Sequence, residues 1–209
     1  MASRTGSTTA ALLLALGAAL RAQAPAPPRV QGVDFLAARH VATGSGAIYA
    51  ARRVGLGMVV TGIVQNPRTT YRAVVVGAGT RLVLGRSAGV TAIIAGADAT
   101  DGHTARLYLM PRLAAGRLVV TATATAFQPL DGESVQQAAV NPLTVALRVR
   151  PWLQAGVAAA LDMKAGRPAV AALGPSVQLR VAGGTLTIEA VAAGVRTRPE
   201  VRGAFSATL

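Results

Sequence analysis

Two histidines are the first candidates for chemistry, His40 and His103. His103 follows Asp98 and Asp101, a grouping of imidazole and carboxylates that can hold a loop-bound cation. Neither histidine lies in a spaced set of ligands, however, and the sequence has no HExxH, so the expected reading of His103 is a polar residue in a turn and no metal is expected. The stretch GRSAG, Gly85 to Gly89, has the glycine spacing of a nucleophile elbow. The element expected after it is a strand, whereas an elbow turns from a strand into a helix. In VVVGAGTRLVLG, Gly77 and Gly79 are followed by Leu82 where a dinucleotide fingerprint needs its third glycine, and no helix follows to meet a pyrophosphate. With no cysteine, thiol catalysis and disulfides are excluded. No catalytic residue and no cofactor is expected, and an enzyme is only the third reading.

The remaining polar residues sit in a different pattern. In LTVALRVR, Leu143, Val145, Leu147 and Val149 alternate with Thr144, Ala146, Arg148 and Arg150. Successive strand residues point to opposite faces, so one face is apolar and the other carries the cations. The same holds in SVQLRVAG, where Val177, Leu179 and Val181 oppose Gln178, Arg180 and Ala182. In TLTIEAV, Leu186, Ile188 and Ala190 oppose Thr185, Thr187 and Glu189.

Period two runs from Ala47 to the end of the chain, broken by turn signals such as Gly55–Gly57, Asp101-Gly102 and Ala165-Gly166. The segment from Val33 to Ala42 fits a short helix or a first strand equally. Gln128 to Pro142, polar and without period, reads as the longest connection. Helical crossovers are missing, which argues against a parallel sheet. An antiparallel meander of about 8–12 strands is expected in one domain over residues 46–209, with residues 25–45 unassigned.

Composition decides what surrounds this sheet. Hydrophobic residues make up 52% of the 209 residues and charged ones 14%, and the mean hydropathy is +0.45. A sheet in water wets one face with Lys, Glu, Asp and Ser. Here the second face is Thr, Ala, Gly and Gln with isolated Arg and Glu. Residues 1–24 have the form of a secretory signal peptide: basic Arg4, an apolar run from Ala10 to Leu20, and Ala22-Gln23-Ala24 as a cleavage box, with Pro25 the expected mature start. No later stretch is long and apolar enough for a membrane helix. The formal charge is +13, with 21 basic and 8 acidic residues and Lys164 the only lysine. The arginines are scattered and unaccompanied by a nucleic-acid motif, so no nucleic-acid partner is expected.

The last strand alternates Val201, Gly203, Phe205, Ala207 and Leu209 to the final residue. With this ending the chain from Ala47 to Leu209 resembles the bacterial outer-membrane β-barrel proteins as a broad class. Its last residue is leucine where that class usually has an aromatic one. The resemblance implies an all-β antiparallel meander closed as a transmembrane barrel, located in the outer membrane, in contact with outer-membrane lipid and delivered by the barrel-assembly machinery. Leu147, Leu179 and Ile188 are then expected to face lipid, and Arg148, Arg180 and Glu189 the lumen. Phe127 and Trp152, at strand ends, become the candidate interface aromatics. The function expected is a structural barrel or a narrow, anion-preferring passage. The alternative is a β-sandwich or jelly roll, periplasmic or secreted, serving in binding or structure.

Overall fold

The computed structural model describes residues 29–30, 35–41, 46–66, 70–132, 135–181, 183–193 and 200–208. The proposed signal peptide lies outside them. The strands are β1 (Arg29–Val30), β2 (Phe35–Val41), β3 (Gly46–Val54), β4 (Gly57–Asn66), β5 (Tyr71–Leu84), β6 (Ala88–Ala99), β7 (Gly102–Ala115), β8 (Leu118–Pro129), β9 (Gln137–Arg150), β10 (Leu153–Lys164), β11 (Val170–Val181), β12 (Gly184–Val191) and β13 (Glu200–Thr208). Every pairing between them is antiparallel, and each of β2 to β13 pairs with the next. β13 then pairs with β2, from Arg202↔Val41 to Thr208↔Phe35, which closes a ring of twelve strands with no free edge. A two-sheet sandwich is thereby excluded. β1 pairs Arg29 and Val30 with Val83 and Leu82, along the part of β5 that runs past its last partner in β4, Gly79 with Met58.

The segment left open between helix and strand is β2, a member of the ring, so the barrel takes in residues before 46. The connection expected over Gln128–Pro142 shrinks to residues 130–136, because both flanking strands extend into it. Pro142 hid the strand: it has no amide hydrogen for the ladder. It is accommodated at a register shift, where Ala159 pairs with Leu143 but Leu161 with Val140, so the missing donor falls where the regular pairing is interrupted.

The two ends of the barrel differ. The odd-to-even connections, β3–β4 through β11–β12, are turns of two or three residues. Gly116, at φ 58°, supplies the left-handed residue that the β7–β8 turn needs. The connections at the other end include the longer ones, residues 130–136 and 192–199.

Candidate functional site: the barrel interior and its two mouths

Parity sorts the strands into a buried and an exposed face. In β4, Met58 and Val60 are 3% exposed, while Val59 and Ile63 between and beyond them are 42% and 58% exposed. The buried face is the inside of the ring, because its side chains reach strands that are not sheet neighbours. Tyr49 on β3 meets Tyr108 on β7 edge-on at 6.3 Å, and Tyr108 meets Phe127 on β8 at 6.1 Å. On the other side, the Arg202 guanidinium of β13 donates to Asn141 Oδ1 of β9 at 2.8 Å. Thr144 Oγ1 of β9 donates to Glu189 Oε1 of β12 at 3.5 Å.

The enclosed space therefore has two unlike walls. From β3 to β7 it is packed with Ala51, Met58, Val60, Val75, Ile93, Ala95 and Ala97, with Tyr49, Tyr108 and Met110 against them. Tyr49 fits because its register partner is Gly62, whose absent Cβ would overlap the ring. Among the described residues one buried cation lies on this wall. Arg106 is buried, donates to Thr104 Oγ1 and Tyr71 Oη at 2.9 Å each, and stacks 4.9 Å over the Phe127 ring. The opposite wall carries Thr144, Ser176, Glu189 and Arg202, all buried. Ser176 Oγ and Gln154 Oε1 on this wall are buried with no hydrogen-bond partner among the described residues. Polar atoms so placed are usually satisfied by water.

Glu189 sits at mid-height, between Ser176 and Arg202 in the ladder. Arg202 also donates to Glu200 on its own strand, at 2.8 Å from Nε. Arg148 and Arg180, the other two residues singled out for the interior face, are at a different level. Arg148 pairs with Gln154 beside the β9–β10 turn, and Arg180 pairs with Thr185 beside the β11–β12 turn. They share the parity of the buried Thr144 and Ser176, but Arg148 is only half-buried and Arg180 is exposed. Neither forms an ion pair among the described residues, and Glu189 is not their partner. On the opposite parity, Leu147 is 56% and Ile188 47% exposed. Leu179 is half-buried, two residues from the end of β11.

Phe127 corrects an expectation. Its position at a strand end suggested an outer interface, but it pairs with buried Arg106 in register and shares the interior face. Trp152, the only tryptophan, is in the β9–β10 turn and 55% exposed.

A pattern at the short-turn mouth escaped the sequence reading. Arg53, Arg81, Arg112, Arg148 and Arg180 come from β3, β5, β7, β9 and β11, one from each strand that runs down into a short turn. All have interior parity and lie no more than three residues from the end of their strand, about 10 Å at roughly 3.4 Å per residue. Among the described residues no Asp or Glu lies that close to these turns. Alignment of each strand on its turn, rather than on its sequence number, is the signal that would have found the ring.

The opposite end of the barrel carries carboxylates and a histidine, with Asp98 and His103 on the exposed parity of β6 and β7. His103, opposite Asp98 in the ladder, has Nε2 3.5 Å from Asp98 Oδ1 and Nδ1 2.8 Å from Asp131 Oδ2. Its backbone N–H donates to Asp131 Oδ1 at 2.7 Å, and its carbonyl accepts from Leu130 N–H at 2.9 Å. Gly102 and Gly132 pack backbone to backbone beside this pair. A Cβ on Gly102, which is at φ +119°, would lie 2.6 Å from the Asp131 carbonyl oxygen. The hydrogen bond to Asp131, with the carboxylate's charge, raises the His103 pKa above its ordinary 6.5. The backbone N–H of His103, then its side chain, holds Asp131 below the usual carboxylate range. These bonds form a latch between the β6–β7 turn and the β8–β9 connection, and no cluster fit for a metal ion occurs among the described residues.

No protein-family model matches the chain, and no curated protein matches it in sequence. Solved structures do match in fold. The KdgM porin is 9% identical with a TM-score of 0.57, over 86% of this chain and 99% of that one. The same porin in complex with disordered oligogalacturonate gives the same figures. The NanC porin is 10% identical with a TM-score of 0.56, over 84% of this chain and 98% of that one. The chain thus has the fold of the bacterial outer-membrane β-barrels.

Proposed function

We propose that the protein is an outer-membrane barrel forming a narrow passage that prefers anions. The carrying observation is the ring of five interior-parity arginines at the short-turn mouth, with no described carboxylate at that level. Guanidinium groups stay charged at any physiological pH, and a mouth lined by one sign of charge concentrates counter-ions. The barrel fold that the KdgM and NanC porins share with this chain supports passage as the general role. The KdgM structure with oligogalacturonate, a carboxylate-bearing polymer, shows that fold beside an anionic solute in that protein. In this reading the route follows the polar wall of β9 to β13, where Ser176 and Gln154 need water, and skirts the packed wall of β3 to β7. Arg148 and Arg180 line the mouth and Glu189 the lumen, while Leu147, Leu179 and Ile188 meet lipid. Export after cleavage behind Ala24 and insertion by the barrel-assembly machinery complete the reading.

The packed wall favours a second reading, a closed barrel with a structural role. Vesicles bearing the inserted protein separate the two. Entry of a small anion should exceed that of a cation of equal size, and replacing Arg81, Arg112 and Arg148 together by Gln should reduce the difference. Equal exclusion of both ions by inserted protein would select the structural barrel.

A further inference from the structure

The outer side of the short-turn end carries charge as well. Arg86 and Arg117 stand in successive short turns, and Trp152 in the next. The three turns are fixed in one row by backbone bonds of the same kind. Ala114 N–H donates to the Ser87 carbonyl, Arg148 N–H to Arg117, and Arg180 N–H to Trp152, at 2.7, 2.7 and 2.8 Å. Arg52, on the exposed parity of β3, adds a further cation beside the neighbouring β3–β4 turn. Arg52, Arg86 and Arg117 are exposed, and none has an ion-pair partner among the described residues. Directly beside them the exposed surface is apolar: Val54 is 60%, Leu56 74% and Leu113 50% exposed.

We propose that this rim binds the headgroups of anionic phospholipids in the leaflet that the short turns face. The inference rests on the membrane-barrel reading above. A guanidinium matches phosphate oxygens in charge and can offer two parallel N–H donors. The apolar residues next to it suit the acyl chains of the same lipid, and an indole is at home at that boundary. A zwitterionic headgroup would leave the rim's uncompensated positive charge in place, whereas an anionic one neutralises it. Short turns in barrels of this fold lie on the periplasmic side, where the leaflet is phospholipid.

Trp152 reports on its own neighbours, since no other tryptophan contributes. The full chain is reconstituted in phosphatidylcholine vesicles containing phosphatidylglycerol, with either one or the other lipid brominated at equal mole fraction. The account expects brominated phosphatidylglycerol to quench Trp152 several-fold more than brominated phosphatidylcholine. The double variant Arg86→Gln/Arg117→Gln, and raised salt, should each abolish the difference. Equal quenching by both lipids in protein that is protected from protease and shifts on heating in a gel overturns lipid selection and leaves the barrel in the membrane intact. Preferential displacement of phosphatidylglycerol by added lipopolysaccharide assigns the rim to the other leaflet and overturns the proposal. Absence of quenching by either lipid, with no protease protection, removes the membrane reading and this inference with it.

Discussion

His103 and Asp131 join two loops through a backbone and a side-chain bond, and both end on the Asp131 carboxylate. Because its pKa is raised on folding, His103 contributes fully below its ordinary 6.5, and that contribution is lost as pH rises through the raised value. Asp131 acts in the opposite sense. Its contribution is present above the ordinary carboxylate range and is lost as pH falls through its lowered value. The latch is tightest between those two limits. Asp131→Asn should bring the His103 titration, followed by NMR, down toward 6.5; an unmoved titration would remove Asp131 as the cause. Gly102→Val tests the backbone contact beside it. It should cost about 1–3 kcal/mol, read from the urea midpoint, since the new side chain meets the Asp131 carbonyl at a positive φ. Single residues were unevenly legible in the sequence. Alternation was enough to separate Glu189 from Ile188, because period two ties parity to face. Asp131 as the partner of His103 was not legible, since 28 positions separate them and only the β7–β8 pairing brings them together. Phe127 was misread because its place at a strand end was weighed above its odd-numbered parity with Thr123 and Thr125.

At the scale of strands, the hairpins follow from local turn chemistry and from side chains that suit a two-faced sheet. The short turns near Gly55, Asp101-Gly102 and Gly166 were legible because glycine and aspartate mark them before any long-range pairing exists. Bulges were not, since an irregular register depends on the neighbouring strand: β9 was cut short at Pro142, where the β9–β10 pairing shifts. The register also sets what a charge on the outer face should cost. Val157 faces Val145 on β9 and Pro175 on β11 well inside the strand, whereas Leu179 lies near its end. Val157→Arg should therefore destabilise the inserted barrel by about 2–4 kcal/mol, and Leu179→Arg by only about 0–1 kcal/mol. Folding into vesicles along a urea series checks the order. Equal costs at the two positions would contradict the depth assigned to them.

For the whole molecule, closure and charge polarity matter most. The sequence announced a meander and a greasy outer face, but closure by β13 on β2 could not be read from local pattern, because it joins the two ends of the chain. Once closed, the ring places interior-parity arginines at the short-turn mouth, while at the other end Asp98 has exposed parity and Asp101 and Asp131 lie in the β6–β7 and β8–β9 connections. Fixed positive charge concentrated at one mouth should make the current through an oriented channel unequal at opposite voltages. The most direct test of the account is the reversal potential of the purified, refolded chain across a potassium chloride gradient in a planar bilayer. The account predicts a sign set by chloride as the more permeant ion, moved toward zero when Arg81, Arg112 and Arg148 are replaced by Gln. A reversal potential set by potassium would contradict it.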